Sequence, residues 1–398
     1  MKKSYLMIAA AATLFAACAS NEMKNDIKSF VNSPIGFTSY AGQQTKGADN
    51  NKNASTLWNL EDHQSNFDVW GMKYYNSAWI TPAVYNRNTV TNTPSTTTWT
   101  ADPIRFWDKS AEKYYFYAAA PSSQYWVLND NNTDDDFEDD YLTYANFKLT
   151  GTNLDADVYT TSFKTVGDVD LMIAENKRVA RSAYNKATPE EVNLLFDHIL
   201  SRLNVTVAIK PGSSLITNSA HVKLTADGFT ITGSGITNTL KNKGSFNENA
   251  TLSGNLEDGT TERWNSLTTD GTYNLTGKDI SSTDLTTSAT TIAQYLIIPQ
   301  SITREKLDRA NGKRDTGTDG IGDADAVHPY LKISYTINDE PYTAYYNLAD
   351  AFNVATLKFN EGWQNTLNIQ IDADAIVFDP QVYEWTDNET NTLIEFDE

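Results

Sequence analysis

The sequence predicts an all-β protein built from β-sandwiches, and three observations carry that expectation. Short apolar runs alternate with polar residues at period two, the mark of a strand with one buried face. Gly, Pro, Asn and Asp punctuate these runs as turns do. Segments with helical period are scarce, which argues against an α/β fold.

Taken in order, IGFTSY (35–40) reads as a first short strand, and AGQQTKGADNNKNAS (41–55) as an exposed loop. FDVWGMKYY from 67 and KYYFYAAAP to 121 are dense in aromatic residues, which favour half-buried pleated surfaces. Between them TVTNTPSTTTWT reads as a Thr-rich loop or edge. EEVNLLFDHIL, after Thr188-Pro189, fits a short helix, although its periodicity does not settle the point. RLNVTVAIK (202–210) is the clearest strand: Leu203, Val205, Val207 and Ile209 alternate with Asn204, Thr206, Ala208 and Lys210. Pro211-Gly212 breaks the pattern and marks a domain boundary. In HVKLTADGFTITG, Asp227-Gly228 between two alternating runs predicts a hairpin. YLKISYTIND sets Leu331, Ile333, Tyr335 and Ile337 on one face, and YTAYYNL after Glu340-Pro341 is its expected partner. TLNIQIDADA (366–375) closes the series with Leu367, Ile369 and Ile371.

Composition narrows the function. The 398 residues carry 31 Lys and Arg against 51 Asp and Glu, a formal charge of −20. That charge repels nucleic-acid phosphate and anionic membrane surfaces, so no nucleic-acid partner is expected. The one cysteine, Cys18, follows Lys2, Lys3 and an apolar stretch from Tyr5 to Ala17 broken by Thr13. A bilayer-spanning helix needs about 20 apolar residues, so this stretch has the length of a signal peptide instead. A cysteine directly after Ala16 and Ala17 resembles the lipobox of bacterial lipoproteins, in which the cysteine is acylated and becomes the first residue. Residues 1–17 are thus the expected signal peptide and 18–34 a polar tether. An exported body without cysteine is stabilised by packing rather than by disulfides.

The sequence carries none of the common catalytic motifs. No G-x-S-x-G, H-E-x-x-H or G-x-x-x-x-G-K-[ST] occurs, so neither an enzyme nor a cofactor is expected. His63, His198, His221 and His328 lie far apart in sequence, and His198 reads as a core or boundary histidine. The acidic run at 129–141 reads as a solvated, self-repelling loop. DTGTDGIGDAD (315–325) places Asp315, Asp319, Gly320 and Asp323 as in a calcium loop. Gly317 and Ala326 stand where two further ligands belong, so it is a weak metal candidate.

The motifs in order resemble the fimbrillins, the fimbrial subunit lipoproteins of Bacteroidetes-type fimbriae. The resemblance runs from Cys18 and IGFTSY…TKG through FDVWG (67–71), IRFWDKSAEKYYFYAAAP (104–121), DLMIAE (170–175), LLFDHILSRLNVTV (194–207) and YLIIPQ (295–300). It ends at EGWQNTLNIQI and VYEW. It implies two transthyretin-like β-sandwich domains in tandem, 35–210 and 211–398. It also implies an outer-membrane lipoprotein precursor, held by lipid on Cys18 and assembled with other subunits into a surface fimbria with a role in adhesion.

In that family a protease removes the N-terminal segment, and a strand from the next subunit fills the groove so exposed. Processing there commonly follows an arginine. The first arginine here is Arg87, inside the expected fold, so Lys46 in QQTKGAD is the processing candidate. Tyr383, Trp385, Ile394 and Phe396 near the C-terminus are donor-strand candidates. A second reading stays open: a monomeric surface lipoprotein that binds glycans or host or bacterial surface ligands.

Overall fold

The computed structural model describes residues 33–41, 66–92, 99–131, 136–151, 169–233, 240–250, 263–269, 273–305, 310 and 330–384. Those residues are almost entirely strands. The first ten are β1 (Phe37–Ala41), β2 (Asn66–Tyr75), β3 (Ala78–Trp79), β4 (Tyr85–Asn92), β5 (Trp99–Ala101), β6 (Lys113–Ala120), β7 (Trp126–Asn129), β8 (Tyr141–Lys148), β9 (Met172–Ala180) and β10 (Val192–His198). There follow β11 (Ser201–Ile209), β12 (Val222–Gly233), β13 (Lys243–Asn247), β14 (Trp264–Thr268), β15 (Tyr273–Thr276) and β16 (Thr290–Ile297). The last are β17 (Gln300–Thr303), β18 (Tyr330–Ile337), β19 (Glu340–Asn347), β20 (Thr356–Phe359), β21 (Trp363–Ile371) and β22 (Ile376–Glu384). Three single-turn helices interrupt them: α1 (Arg181–Tyr184), α2 (Ser214–Thr217) and α3 (Leu348–Ala351).

The first half closes on itself. Its sheet runs β2-β4-β5-β1-β10-β9-β6, and β6 pairs back onto β2 while β3 hairpins onto the end of β2. Closure leaves the ring few unpaired edges, and its interior fills with aromatic side chains. Phe37, Phe67, Tyr85, Trp107, Tyr114, Phe116 and Tyr184 are all nearly inaccessible there. The aromatic density of β6 has a second cause, because both of its faces are covered. Tyr114, Phe116 and Ala118 point into the ring, whereas Tyr115, Tyr117 and Ala119 pack outward against a separate sheet.

That separate sheet is shared between the two halves of the chain. Its order is β14-β13-β8-β7, so two strands from before residue 150 pair with two from after 240. Trp126, Phe147, Phe246 and Trp264 form its aromatic face, with Phe147 and Trp264 rings 5.6 Å apart. The Trp264 indole donates to the Ile199 carbonyl (2.8 Å), tying the sheet to the link between β10 and β11. Arg263 pairs with Glu361 at 2.9 Å, both side chains largely buried, and lies over the Phe246 ring.

The second half is an open sandwich. Sheet β16-β11-β21-β22 faces sheet β15-β12-β18-β19 across a mainly aliphatic core of Leu, Ile and Val. Leu203, Val205, Val207 and Ile209 do line one buried face, as their alternation predicts. β11 therefore packs with the strands that follow it, although it precedes the boundary expected at 210/211. The break between sheets falls between β10 and β11.

Two sequence expectations are corrected. VNLLFDH is not helical but strand β10, with Val192, Leu194, Phe196 and His198 buried in strict alternation. Asp227-Gly228 is not a hairpin: β12 runs straight through it, and its register against β18 shifts between Leu224 and Phe229. A Cβ on Gly228 would stand 2.7 Å from the Ser334 carbonyl oxygen, so glycine serves here to let a bulged backbone approach its neighbour. The hairpin signal that does operate is Asn338-Asp339, both at positive φ, between β18 and β19.

Candidate assembly site

The first described segment is seated rather than free. The Trp107 N–H donates to the Ser33 carbonyl (3.0 Å) and the Ile35 N–H to the Arg105 carbonyl (2.8 Å). Residues 33 and 34, expected at the end of a tether, are thus already docked. β1 then runs parallel to β10 over five residue pairs, from Phe37↔Val192 to Ala41↔Phe196. On its other side β1 meets β5 at one pair only, Phe37↔Trp99.

Phe37 anchors the start of β1 in the core. Its ring stands 5.7 Å from Tyr85, 5.9 Å from Phe116 and 6.1 Å from Phe67, each edge-on or nearly so. This edge-to-face cage follows the ring quadrupoles. Burial pushes the Tyr85 phenol up to about 12, so the cage stays uncharged near neutral pH. Ile35 is buried beside it. A cleft of about 390 Å³ opens where β1 and β5 diverge, walled by Pro34, Ile35, Trp99, Ile104 and Pro189. Glu190 and Glu191 also line it, and Ile104 is exposed.

The far end of the described chain is also docked. β22 pairs with β21 along its whole length, with Tyr383 opposite Gln364 and Glu384 opposite Trp363. Of the four donor-strand candidates Tyr383 therefore lies in a paired strand, whereas Trp385, Ile394 and Phe396 lie outside the described residues. Cys18, Lys46, Asp315, Asp319 and Asp323 lie outside them too. His198 sits buried with its Nδ1 2.6 Å from the Asp170 carboxylate, in keeping with a core histidine. Among the described residues no cluster of His, Cys, Asp or Glu could hold a metal ion. Among them, too, no helix is long and apolar enough to cross a membrane.

The acidic run around 136–140 is only partly solvated. Phe137 is buried against Tyr117, and Glu138 pairs with Lys113. Burial, then the charges of Asp130, Asp139 and Asp136, raise the Asp140 carboxyl to about 7.

A model of the fimbrillin-like family matches residues 45–385. The chain belongs to the fimbrillin-like family. It is accordingly a fimbrial subunit, part of a cell-surface appendage built with other subunits. No curated protein matches it. Similar solved structures include a fimbrial protein from Bacteroides vulgatus, with 16% identity and a TM-score of 0.45 over 89% of this chain and 100% of that one. Others are a fimbrial assembly protein from Parabacteroides distasonis (11%, 0.33, 92% and 99%) and the fimbrial anchor protein Mfa2 from Porphyromonas gingivalis (11%, 0.28, 88% and 97%). The family match carries the assignment.

For this fimbrillin-like chain, sequence reading found β1 but missed what holds it. Tyr85 and Phe116 are remote from Phe37 in sequence, and alternation within a strand carries no information about its partners. Nor did it find the shared sheet, whose signal was the Phe246 and Trp264 pair in otherwise polar surroundings.

Proposed function

We propose that this fimbrillin-like subunit is exported as an outer-membrane lipoprotein through Cys18, and that cleavage near Lys46 releases β1. A strand from a neighbouring subunit then takes its place. Main-chain hydrogen bonds to β10 supply affinity, and side chains filling alternate sites supply register. The contact is head-to-tail and does not close, so repetition gives a filament.

One observation carries the reading: β1 is bonded along one side only, yet its Phe37 fills an aromatic cage in the core. Such a strand is held firmly by its side chains but can be replaced by another strand bringing the same ones. Lys46 lies between β1 and β2, so a cut there separates β1 covalently from the ring. The sequence beyond Glu384 offers a matching pair of side chains. Ile394 and Phe396 stand two residues apart, as Ile35 and Phe37 do. In this reading Phe396 of a neighbouring copy enters the cage and Ile394 takes the place of Ile35. The same reading divides the chain into two transthyretin-like domains in tandem, 35–210 and 211–398.

Two measurements test it. Mass spectrometry of surface-derived fimbriae is expected to find chains beginning just after Lys46; mature chains that begin at Cys18 overturn cleavage. Deleting residues 386–398, which spares β22, is expected to abolish detergent-resistant ladders and leave a folded monomer. Ladders that persist overturn the donor assignment.

A further inference from the structure

A subunit that assembles by strand addition must not add strands elsewhere, and the second sandwich is an open one with four edge strands, β16, β22, β15 and β19. On one side the segment from Gly277 to Thr286 bridges the two sheets, its backbone bonded to Phe229 (3.1 Å) and Val222 (2.8 Å) of β12, Ile209 (2.7 Å) of β11 and Ile292 (2.7 Å) of β16. On the opposite side, β22 and β19 lie together, the Phe378 and Tyr346 rings 4.7 Å apart. No strand lies beyond either among the described residues. Each carries a proline.

Register fixes where those prolines point. In an antiparallel pair, alternate residues turn their N–H and C=O toward the partner strand, and the rest turn outward. The two-residue turn at Asn338-Asp339 is closed by the bonded pair Ile337↔Glu340, so the next pair, Thr336↔Pro341, turns outward on β19. On β22, the Asp372 N–H donates to the Ala375 carbonyl (2.9 Å), which sets the bonded phase of that hairpin. Counting in steps of two puts Asn368↔Asp379 in the bonded phase and Leu367↔Pro380 in the outward one. Pro380 thus occupies the middle of the nine-residue outer edge, flanked by the outward groups of Phe378 and Val382. A docking strand would meet a pyrrolidine ring where it needs a donor.

We infer that Pro380 and Pro341 seal the β22 and β19 edges of the second sandwich against strand addition. This rests on strand addition as the mode of assembly. The test uses the full, uncleaved chain with β1 in place, so its outcome does not depend on whether β1 is ever replaced. Restoring the outward N–H in Pro380→Val, and separately in Pro341→Thr, is expected to strengthen self-association at least about tenfold by sedimentation. In Pro380→Val, hydrogen exchange is expected to slow at the Phe378 and Val382 amides as association proceeds. Variants that fold yet remain as monomeric as the native chain overturn the inference, as does association without that protection. Should Pro380→Val fail to fold, Pro341→Thr decides alone, read by sedimentation and by exchange at the Thr343 amide.

Discussion

β1 and β11 hold the same topological place in the two halves, and their difference separates a replaceable strand from a fixed one. Each is the first strand of its sheet system, and each runs parallel to a late strand, β1 beside β10 and β11 beside β21. β11 is matched at eight positions to β21 and at seven to β16, so it is bonded on both sides. β1 has five matched positions on one side and one on the other. β11 spreads its hold over four aliphatic side chains, whereas Phe37 at the start of β1 and Ile35 just before it sit in the aromatic core. One large knob in a rigid aromatic cage can be exchanged for another; four distributed contacts and two ladders cannot be released together.

The largest break in this comparison is Val205→Pro. Removing a donor from the centre of β11 and distorting its buried face is expected to cost more than about 5 kcal/mol and abolish folding of the second half, read as loss of soluble chain. Phe37→Ala in β1 is expected to cost about 3–5 kcal/mol in the uncleaved chain, by chemical denaturation, and to leave a chain that still folds. If the two variants fail alike, β1 is no more releasable than β11.

Arg263→Met sharpens the comparison by asking whether the halves are independent. It leaves the buried Glu361 carboxylate without its guanidinium, at a cost of about 2–3 kcal/mol. Calorimetry is expected to show one transition dividing into two, and a single unbroken transition would deny the shared sheet its coupling role.

The smallest effect concerns pH. The Asp140 carboxyl is raised from its ordinary 3.8 to about 7 in the folded chain, so between those limits the folded chain binds the extra proton. Its contribution to stability is favourable at the acidic end of that window and is lost as pH rises through 7. Asp140→Asn is therefore expected to raise the melting temperature modestly at pH 8, with a smaller gain near pH 5.

The sequence legibly showed what a strand does on its own. Alternation located β11, β18 and β21, because one face of each meets a core whatever lies across the sheet. It could not show relations between strands. VNLLFDH was ambiguous because apolar spacing over seven residues suits either period until a neighbour imposes one. Asp227-Gly228 misled because a glycine that closes a hairpin and one that admits a close backbone read alike. At the assembly site, Ile35 and Phe37 were legible as strand residues. The cage around them was not, since its walls come from β2, β4 and β6.

The shared sheet has a consequence for the order in which the chain becomes native. A polypeptide is made from the N-terminus onward, and early segments begin to fold as they emerge. The β7–β8 hairpin would appear with Trp126 and Phe147 exposed, and its partners Phe246 and Trp264 follow only about a hundred residues later. Until then the first half presents an unfinished apolar flank. Arrival of β14 completes the flank and makes both halves native in one step.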